Sequence, residues 1–223
     1  MQEYNEMMFL LYYLTPKKHF YDIGANQGSY TILASKVIGA KTFSFEPVFK
    51  DFKKLKEQIK LNKVSHLVKV YNFGLSDKVG FLNFTYNIEG ANRVIFKKAQ
   101  NTHKVHVSTL DNLFKLKTSS LIKIDVEGFE YFILKGGRKF FRSKNCEALI
   151  IELNGSGEQF RIKDQDIHQY LLDLHFIVIE FDPITKNMVQ KNNFTFGSNN
   201  IYIKKSAFKK IQSQVKKCKS NYV

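Results

Sequence analysis

The sequence predicts an α/β protein built on an open, mostly parallel sheet with helices on both faces, a doubly wound arrangement. Short apolar segments that end in a polar residue alternate along the chain with amphipathic helices, as strand-helix-strand units do. Gly24 and Gly28 follow the first of these segments and allow a tight turn into a helix. Near the end, Phe176–Phe181 and Gly197–Lys204 predict two strands joined by a hairpin, which makes the last strand antiparallel to the rest.

The composition is ordinary for a globular chain, with 43% hydrophobic and 25% charged residues among 223. Two cysteines, Cys146 and Cys218, lie far apart and have no partners at metal-ligand spacing, which argues against a disulfide or zinc framework. We therefore expect a reducing compartment and a cytoplasmic protein. The length suits one domain over residues 1–223, divided into an N-terminal helix (1–18), a core (19–203) and a basic tail (204–223).

The net charge of +15 is high and unevenly distributed. Residues 204–223 carry seven lysines and no acidic residue. A surplus of this size favours an anionic partner, such as nucleic acid, a membrane or a phosphorylated glycan. A lysine- and asparagine-rich genome would also produce it, and the sequence leaves both explanations open.

The segment Glu3–Leu14 predicts a short helix that packs beside the sheet, ends before Pro16 and roofs the ligand pocket. Its run of eight apolar residues is too short to span a bilayer. Glu3 and Glu6 make the residues before this run acidic, and no small-residue cleavage site follows it, so a signal peptide is not expected.

The stretch His19–Thr31 combines a strand, a glycine-bearing turn and the start of a helix, which together form the ligand-binding corner of an open α/β sheet. Asn26 stands where the dinucleotide fingerprint has its second glycine, so the spacing is D-x-G-x-x-x-G, starting at Asp22. A carboxylate there suits a cationic ligand better than a phosphate, which favours S-adenosylmethionine over NAD. In the alternative interpretation, Gly24 and Gly28 only serve a tight strand-to-helix turn.

The segment Lys41–Pro47 predicts a second strand that ends in Glu46, eighteen residues beyond Gly28. A carboxylate at this strand end can accept hydrogen bonds from both ribose hydroxyls of a nucleoside. The alternative is a solvated loop glutamate. A helix follows, with Phe49, Phe52, Leu55 and Ile59 on one face and Lys53, Lys54, Lys56 and Lys60 on the other.

The segment Val68–Gly74 predicts a third strand, and by position alone Gly74 and Leu75 would flank an adenine ring. Alternating apolar residues from Phe81 to Thr109 predict further β-structure, with a polar turn at Gly90–Arg93. This part is either an antiparallel insertion or an extension of the sheet edge, and its loop is a candidate for substrate contact.

A second chemical stretch, Leu121–Glu130, is an apolar strand that ends at Asp125 and leads into a helix. This strand lies across the switch point from the first, so Asp125 is expected in the same crevice as Gly24. Capping of the helix start explains Glu127 and Glu130. It explains Asp125 less well, because that residue still belongs to the strand end.

Seven short motifs occur in an order that resembles the FkbM family of class I S-adenosylmethionine-dependent methyltransferases. The likeness covers residues 19–203, and the pairing of DIGAN-x-G with KIDVEG-x-E is specific. The motifs are Asp22–Gly28, Phe45–Pro47, Leu75–Asp77, Ser108–Asp111, Lys123–Gly128, Leu134–Gly137 and Ile151–Leu153.

The resemblance implies a Rossmann-like, seven-stranded sheet with an antiparallel last strand, and methyl transfer to hydroxyls, often of sugars in glycans or of natural products. It places Gly24 and Gly28 beside the methionine and ribose portion of the cofactor, Glu46 at the ribose and Asp125 at the transfer crevice. The segment before the first strand is short, which implies a reduced lid. The predicted cofactor-binding residues are Asp22, Gly24, Asn26, Gly28, Glu46, Gly74, Leu75 and Asp125.

Methyl transfer to an alcohol benefits from a base, and Asp125 and Glu152 are the candidates because both end central strands. Asn154 stands where relatives often carry a histidine, which leaves the proton acceptor open. Together Asp125, Glu152 and Asn154 could instead bind magnesium or calcium. We favour the metal-free interpretation, because no further ligand is visible in the sequence.

Two other classes of protein remain as alternatives. An NAD-dependent oxidoreductase would use the same corner, and Asn26 in place of glycine argues against it. A nucleic-acid methyltransferase or an RNA-binding protein would explain the charge, but the sequence has no interleaved basic-aromatic motif and no N-P-P-Y-type motif. A small-molecule or glycan acceptor is therefore expected rather than nucleic acid.

The tail carries apolar residues at helical spacing with lysines on the remaining sides. A basic helix with a narrow apolar stripe can lie on an anionic membrane, which would make the enzyme peripheral to that membrane. In the alternative, which we favour, the stripe packs on the protein's own sheet edge and the lysines face water. The stripe consists of Phe208, Ile211, Val215, Cys218 and Tyr222.

Overall fold

The computed structural model describes residues 3–85, 94–95 and 102–218. Within them, helices and strands alternate as the sequence predicts. The α-helices are α1 (Tyr4–Tyr13), α2 (Ser29–Ile32), α3 (Phe49–Leu61), α4 (Leu110–Leu113), α5 (Glu130–Gly136), α6 (Arg138–Arg142), α7 (Asp164–Asp173) and α8 (Phe208–Lys217). Leu33–Val37 continues α2 as a π-helical turn, and Ser156–Phe160 and Lys205–Ala207 are 3₁₀ turns.

The strands form a main sheet and a smaller second sheet. They are β1 (His19–Ile23), β2 (Lys41–Phe45), β3 (Val68–Tyr71), β4 (Gly74–Leu75), β5 (Gly80–Thr85), β6 (Val94–Ile95), β7 (Thr102–Ser108), β8 (Ser120–Ile124), β9 (Cys146–Leu153), β10 (Phe176–Asp182), β11 (Asn187–Gln190) and β12 (Ser198–Lys204).

The main sheet has the order β11-β10-β12-β9-β8-β1-β2-β3, and its five strands from β9 to β3 run parallel. Strand β12 is antiparallel to both of its neighbours, β9 and β10. The predicted class is therefore confirmed, with eight strands in this sheet where seven were expected. The additional strand is β11, which the sequence suggested was part of a turn. It is a four-residue edge strand in which Met188 is buried and Val189 exposed, and so short a run gives little periodicity.

Helices cover both faces of the main sheet. Phe20 and Leu121 pack in one cluster with residues of α1 and α8, whereas Tyr21 and Ile122 pack in another with residues of α5, α6 and α7. Successive strand residues point to opposite faces, so these two clusters are the two sides of one sheet. The layer that contains α1, α2, α3 and α8 is called the first layer below, and that of α4 to α7 the second layer.

The tail forms α8, and its apolar stripe lies inside the protein. Ile211 and Val215 are fully buried in the cluster with α1 and β11, and Phe208 packs against it. The favoured alternative for the stripe, packing on the protein's own sheet edge, is therefore the arrangement that the structure shows; Tyr222 lies outside the described residues. Cys218 follows α8, Cys146 begins β9, and both are free thiols.

The second sheet has the order β4-β7-β5-β6, with β5 antiparallel to both β7 and β6. The predicted β-structure after Phe81 is thus an insertion with its own sheet, and Gly90–Arg93 lie outside the described residues. One local prediction was wrong. Phe49, expected on the buried face of α3, is its first residue, is 56% exposed and stacks on Phe52. No helix of the described ranges has the length and apolar character needed to cross a bilayer.

Candidate active site

The loops after β1, β2 and β8 meet at one edge of the main sheet, and Gly24 lies where they touch. Its φ is +81°, and a Cβ placed there would lie 1.9 Å from the carbonyl oxygen of Asp125. The backbone N–H groups of Gly24 and Ala25 both donate to the carbonyl of Phe45, at 3.0 and 2.9 Å. Only glycine fits this contact, so the sequence motif at Gly24 is required by the approach of two loops.

Asn26 lines a cavity of about 130 Å³ at this edge. Its φ is +49°, the left-handed conformation that asparagine tolerates better than most residues. Its backbone N–H donates to Glu46 Oε2 at 2.8 Å. The replacement of the second fingerprint glycine therefore keeps a left-handed backbone and adds a side chain to the cavity wall.

Glu46 lines the same cavity and is 6% exposed, so the alternative of a solvated loop glutamate is wrong. Besides Asn26, it accepts a hydrogen bond from the backbone N–H of Val48, through Oε1 at 2.8 Å. Burial raises the pKa of Glu46 to about 7, although the two backbone hydrogen bonds act to lower it. Each carboxylate oxygen keeps a lone pair that a hydroxyl group can use.

Two predicted cofactor residues do not line the cavity. Asp22 is 1% exposed and accepts from Thr31 Oγ1 at 2.6 Å, and its burial raises the pKa of the carboxyl group. Gly28 has a φ of +96°, and a Cβ there would lie 2.5 Å from Leu55 Cδ1. In this structure Asp22 holds α2 to β1 and Gly28 lets α3 pack on the turn, and their predicted contacts with the cofactor stay a prediction.

A small apolar cavity of about 30 Å³ adjoins the first and shares Pro47, Phe84 and Val126 with it. Gly74 and Leu75 lie in its wall, as the position of β4 predicted. The remaining lining residues are Phe45, Val94, Phe129 and Ile133.

Three carboxylates, those of Asp125, Glu127 and Glu152, converge with one oxygen atom each within 4.8 Å of one another. They are called the carboxylate cluster below. Asp125 and Glu127 also line the main cavity, so the cluster adjoins it. Burial raises the pKa of Glu152 to about 7, and the negative charges of Asp125 and Glu127 add to the effect.

A buried lysine lies behind the cluster. Lys123 is 4% exposed and donates to Asp125 Oδ2 at 2.6 Å. The sequence analysis missed Lys123, although a lone lysine in the apolar strand Leu121–Ile124 is itself a signal, since lysine is almost never buried without a partner.

The loop between β8 and α5 depends on Glu130, which is 3% exposed. Its Oε1 accepts from the backbone N–H groups of Val126 and Gly128, each at 3.2 Å, and burial raises its pKa to about 8. Glu130 lies in the first turn of α5, but its carboxylate ties down the loop before the helix and does not cap it. Glu127 lies in the carboxylate cluster, and its predicted capping role stays a prediction.

Asn154 does not join the cluster. Its Oδ1 accepts from the backbone N–H of Ser156 at 2.9 Å, which closes the turn after β9. The alternative of a cation site on Asp125, Glu152 and Asn154 is therefore wrong in its third residue. The side chain that groups with Asp125 and Glu152 is that of Glu127.

The strand β12 adds a wall next to Glu152. Asn199 is the register partner of Glu152, and its Nδ2 donates to Glu3 Oε1 at 2.5 Å. Its Oδ1 is buried and has no hydrogen-bond donor among the described residues. Phe196 is 70% exposed, with its ring edge beside Gly155. Glu3, just before α1, thus reaches this wall, and the predicted roof over the ligand pocket stays a prediction.

Comparison with known proteins bears on this site. The family model of the Methyltransferase FkbM domain matches residues 22–178. Among solved structures, the chain is similar to precorrin-6y C5,15-methyltransferase from Geobacter metallireducens, with 14% identity, a TM-score of 0.50 and coverage of 90% of this chain and 87% of the other.

It is also similar to a candidate methyltransferase from Streptococcus mutans in complex with SAH (12% identity, TM-score 0.51, coverage of 88% and 93%). A candidate rRNA-methylase from Clostridium thermocellum gives 9% identity, a TM-score of 0.52 and coverage of 88% and 92%. These likenesses show the fold. No curated protein gives a significant match.

Proposed function

The chain belongs to the FkbM methyltransferase family, which uses S-adenosylmethionine, and from this premise we propose that it methylates a hydroxyl group of a sugar, in a glycan or a natural product. One observation carries the proposal: Glu152, with a pKa of about 7, lies within the carboxylate cluster at the edge of the cavity. A base with a pKa near the working pH is what transfer to an alcohol needs.

The residues of the cavity fit the cofactor. Glu46 offers carboxylate lone pairs for ribose hydroxyls, and Gly24 lets the loops approach closely. The small cavity beside Gly74 and Leu75 cannot enclose an adenine ring, but its apolar wall can pack against one face of the ring. When bound, S-adenosylmethionine supplies a methyl group activated by its sulfonium. The negative charge of Asp125 at the cavity wall favours a cationic ligand there.

In the proposed mechanism, Glu152 accepts the proton of the acceptor hydroxyl at a carboxylate oxygen. Protonation removes one of three crowded negative charges, so the repulsion that raises the pKa of Glu152 also favours this step. Lys123 fixes the orientation of Asp125 through the 2.6 Å bond to Oδ2. Positioning of the hydroxyl supplies much of the remaining acceleration.

Two features of the β12 wall support a sugar as acceptor. Asn199 Oδ1 lacks a donor among the described residues, and a sugar hydroxyl can provide one. Phe196 offers an exposed aromatic ring three residues before Asn199, and one face of a sugar ring is apolar enough to pack on it.

The test is an assay with labelled S-adenosylmethionine and a panel of mono- and oligosaccharides, in which mass spectrometry locates the methyl group. Glu152→Gln should lower turnover by about 10²–10⁴-fold, the usual contribution of a positioned base. Glu158→Gln, an exposed glutamate in the following turn, is the matched control and should leave turnover unchanged. Wild-type turnover in Glu152→Gln would exclude this base, and methylation of nitrogen or carbon acceptors alone would exclude the hydroxyl.

A further inference from the structure

The positive charge of the protein is concentrated in the first layer. Helix α3 contains five lysines and two acidic residues, and α8 contains four lysines and no acidic residue. In the second layer, α6 is basic, but α7 contains three aspartates and neither lysine nor arginine, so that α4 to α7 together carry four basic and five acidic residues. A lysine-rich genome would act on exposed positions of both layers alike, so this contrast needs another explanation.

The two basic helices lie on the same side of the sheet. Val68 and Val70 of β3 pack with the buried face of α3. In register across the sheet, Val68 aligns with Thr42 and Thr42 with Phe20, which packs in the cluster with α1 and α8. The lysines of α3 and α8 therefore project from the same side of the sheet, α3 at its β3 edge and α8 at its β11 edge.

Helix α8 contributes charge to this surface, but it contributes no apolar stripe. Ile211 and Val215 are buried in the protein, and Lys210 pairs with Glu147 at 2.7 Å. Lys209, Lys216 and Lys217 are exposed. The tail alone therefore cannot insert as an amphipathic membrane helix, and its exposed lysines act as part of the wider surface.

The apolar component of the surface lies elsewhere. A groove of about 490 Å³ opens between α3 and the edge strand β3. Its floor includes Ile59, Val68 and Val70, and Lys56 and Lys60 stand beside them. Glu57 also lines the groove, so its walls carry two lysines and one glutamate. An apolar floor with a net positive wall matches a molecule that joins a hydrocarbon chain to an anionic head group.

Exposed apolar side chains accompany the lysines of the first layer. Leu61, the last residue of α3, is 75% exposed and follows Lys60. Val37 is 50% exposed and follows Lys36. Paired lysine and aliphatic side chains suit the boundary between head groups and acyl chains.

We propose that the first layer is a docking surface for an anionic phospholipid bilayer, with the groove beside α3 receiving part of a lipid. Lipid is favoured over nucleic acid because the nine basic residues of α3 and α8 are all lysines. Lysine acts as a point charge toward a diffuse anionic surface, whereas arginine is preferred for bidentate contacts with phosphates and bases.

The test is sedimentation of the full chain with phosphatidylcholine vesicles, with and without phosphatidylglycerol, at low and high salt. The layer variant is K60E/K209E/K216E, and the matched control is K139E/R142E/K144E, which makes the same charge change on exposed residues of the opposite side. Each lysine near an anionic surface contributes about fivefold to partitioning, so three should contribute about a hundredfold.

The proposal predicts that wild type and control sediment only with anionic vesicles at low salt, and that the layer variant stays in the supernatant. If the layer variant and the control lost vesicle binding equally, binding would depend on net charge alone and the proposal would be overturned. Absence of wild-type binding to anionic vesicles would overturn it as well. A third result would also overturn the proposal: the wild type binds single-stranded RNA more tightly than vesicles in a filter assay, and the layer variant loses RNA binding but keeps vesicle binding. Turnover on a soluble acceptor separates all these outcomes from the proposed function, because it does not depend on the bilayer.

Discussion

Glu46 and the carboxylate cluster lie at the same edge of the sheet, yet they are held in opposite ways. Glu46 is buried and receives one backbone N–H on each oxygen, so its position is fixed by satisfied hydrogen bonds. In the cluster, Asp125, Glu127 and Glu152 crowd together, with Lys123 paired to one of them. A carboxylate that only binds a ligand can have its backbone hydrogen bonds in place before the ligand arrives. A carboxylate that accepts a proton needs a pKa near the working pH, which crowding with other negative charges provides.

The largest expected effect is on cofactor affinity and tests the role of Glu46. Glu46→Ala should weaken binding of S-adenosylmethionine by roughly 1–3 kcal/mol, because ribose hydroxyls and two backbone N–H groups lose their acceptor. Isothermal titration calorimetry measures the change. Glu57→Ala, on the exposed face of the neighbouring helix, is the control. Unchanged affinity in Glu46→Ala would place the ribose elsewhere.

The next effect is on turnover and tests the carboxylate cluster through Asp125. Asp125→Asn keeps the shape of the side chain and an acceptor for the buried Lys123 but removes one charge of the cluster, so turnover should fall at least about tenfold, with a smaller loss of stability from the weakened pair with Lys123. Steady-state kinetics and thermal unfolding give the two values. Parallel losses of turnover and stability would identify Asp125 as a structural cap.

A chelator in the same assay separates two uses of the cluster. If Asp125, Glu127 and Glu152 act without a metal ion, turnover should not change on its addition. Arrest by the chelator and rescue by magnesium would assign the cluster to a cation, since hard oxygen ligands suit that ion.

The dependence on pH gives a smaller effect. Because the pKa of Glu152 is raised to about 7, turnover at saturating cofactor should increase roughly fivefold from about pH 6 to about pH 7, about twofold more by about pH 8, and then level off. A flat profile in the wild type would contradict Glu152 as the base.

The free energy of unfolding is expected to decrease as the pH rises, whereas turnover increases. The pKa values of Glu46 and Glu130, about 7 and about 8 in the folded chain, exceed the ordinary value of 4.5. The folded state therefore holds protons that the unfolded state has released, and this contribution to stability is lost as the pH rises through those values.

The smallest expected effect concerns Asp22, which resembles Asp125 in sequence but not in position. Asp22→Asn keeps an acceptor for Thr31 and leaves the cavity untouched, so cofactor affinity should change by less than about twofold, within the usual range for a site without ligand contact. A tenfold loss of affinity would return Asp22 to the binding site.

These two aspartates also show how far the sequence can predict the site. The edge of the sheet follows from the order of strands, so Glu46, Gly74 and Asp125 were placed correctly at the cavity walls. Asp22 is the register partner of Lys123, two residues before Asp125, so it lies inside the sheet and is buried, whereas Asp125 follows the strand end and reaches the cavity.

Features that depend on tertiary contacts escaped prediction. The role of Glu127 follows from a left-handed backbone with a φ of +56°, and β11 follows from pairing with β10. Asn199 acquires its place by register with Glu152, forty-seven residues earlier in the chain. The register of Asn199 leaves no local pattern because its partner is distant in sequence, whereas β11, joined to β10 by a short hairpin, is too short to show a periodicity.

The two thiols give this protein a built-in reporter. Cys146 is fully buried, and burial raises its pKa to about 12, so it carries almost no thiolate at neutral pH and resists alkylation. Cys218, partly exposed where α8 ends, is the thiol that a maleimide dye can reach. A fluorophore attached there would report the polarity of its surroundings from beside the lysines of α8, without any engineered cysteine.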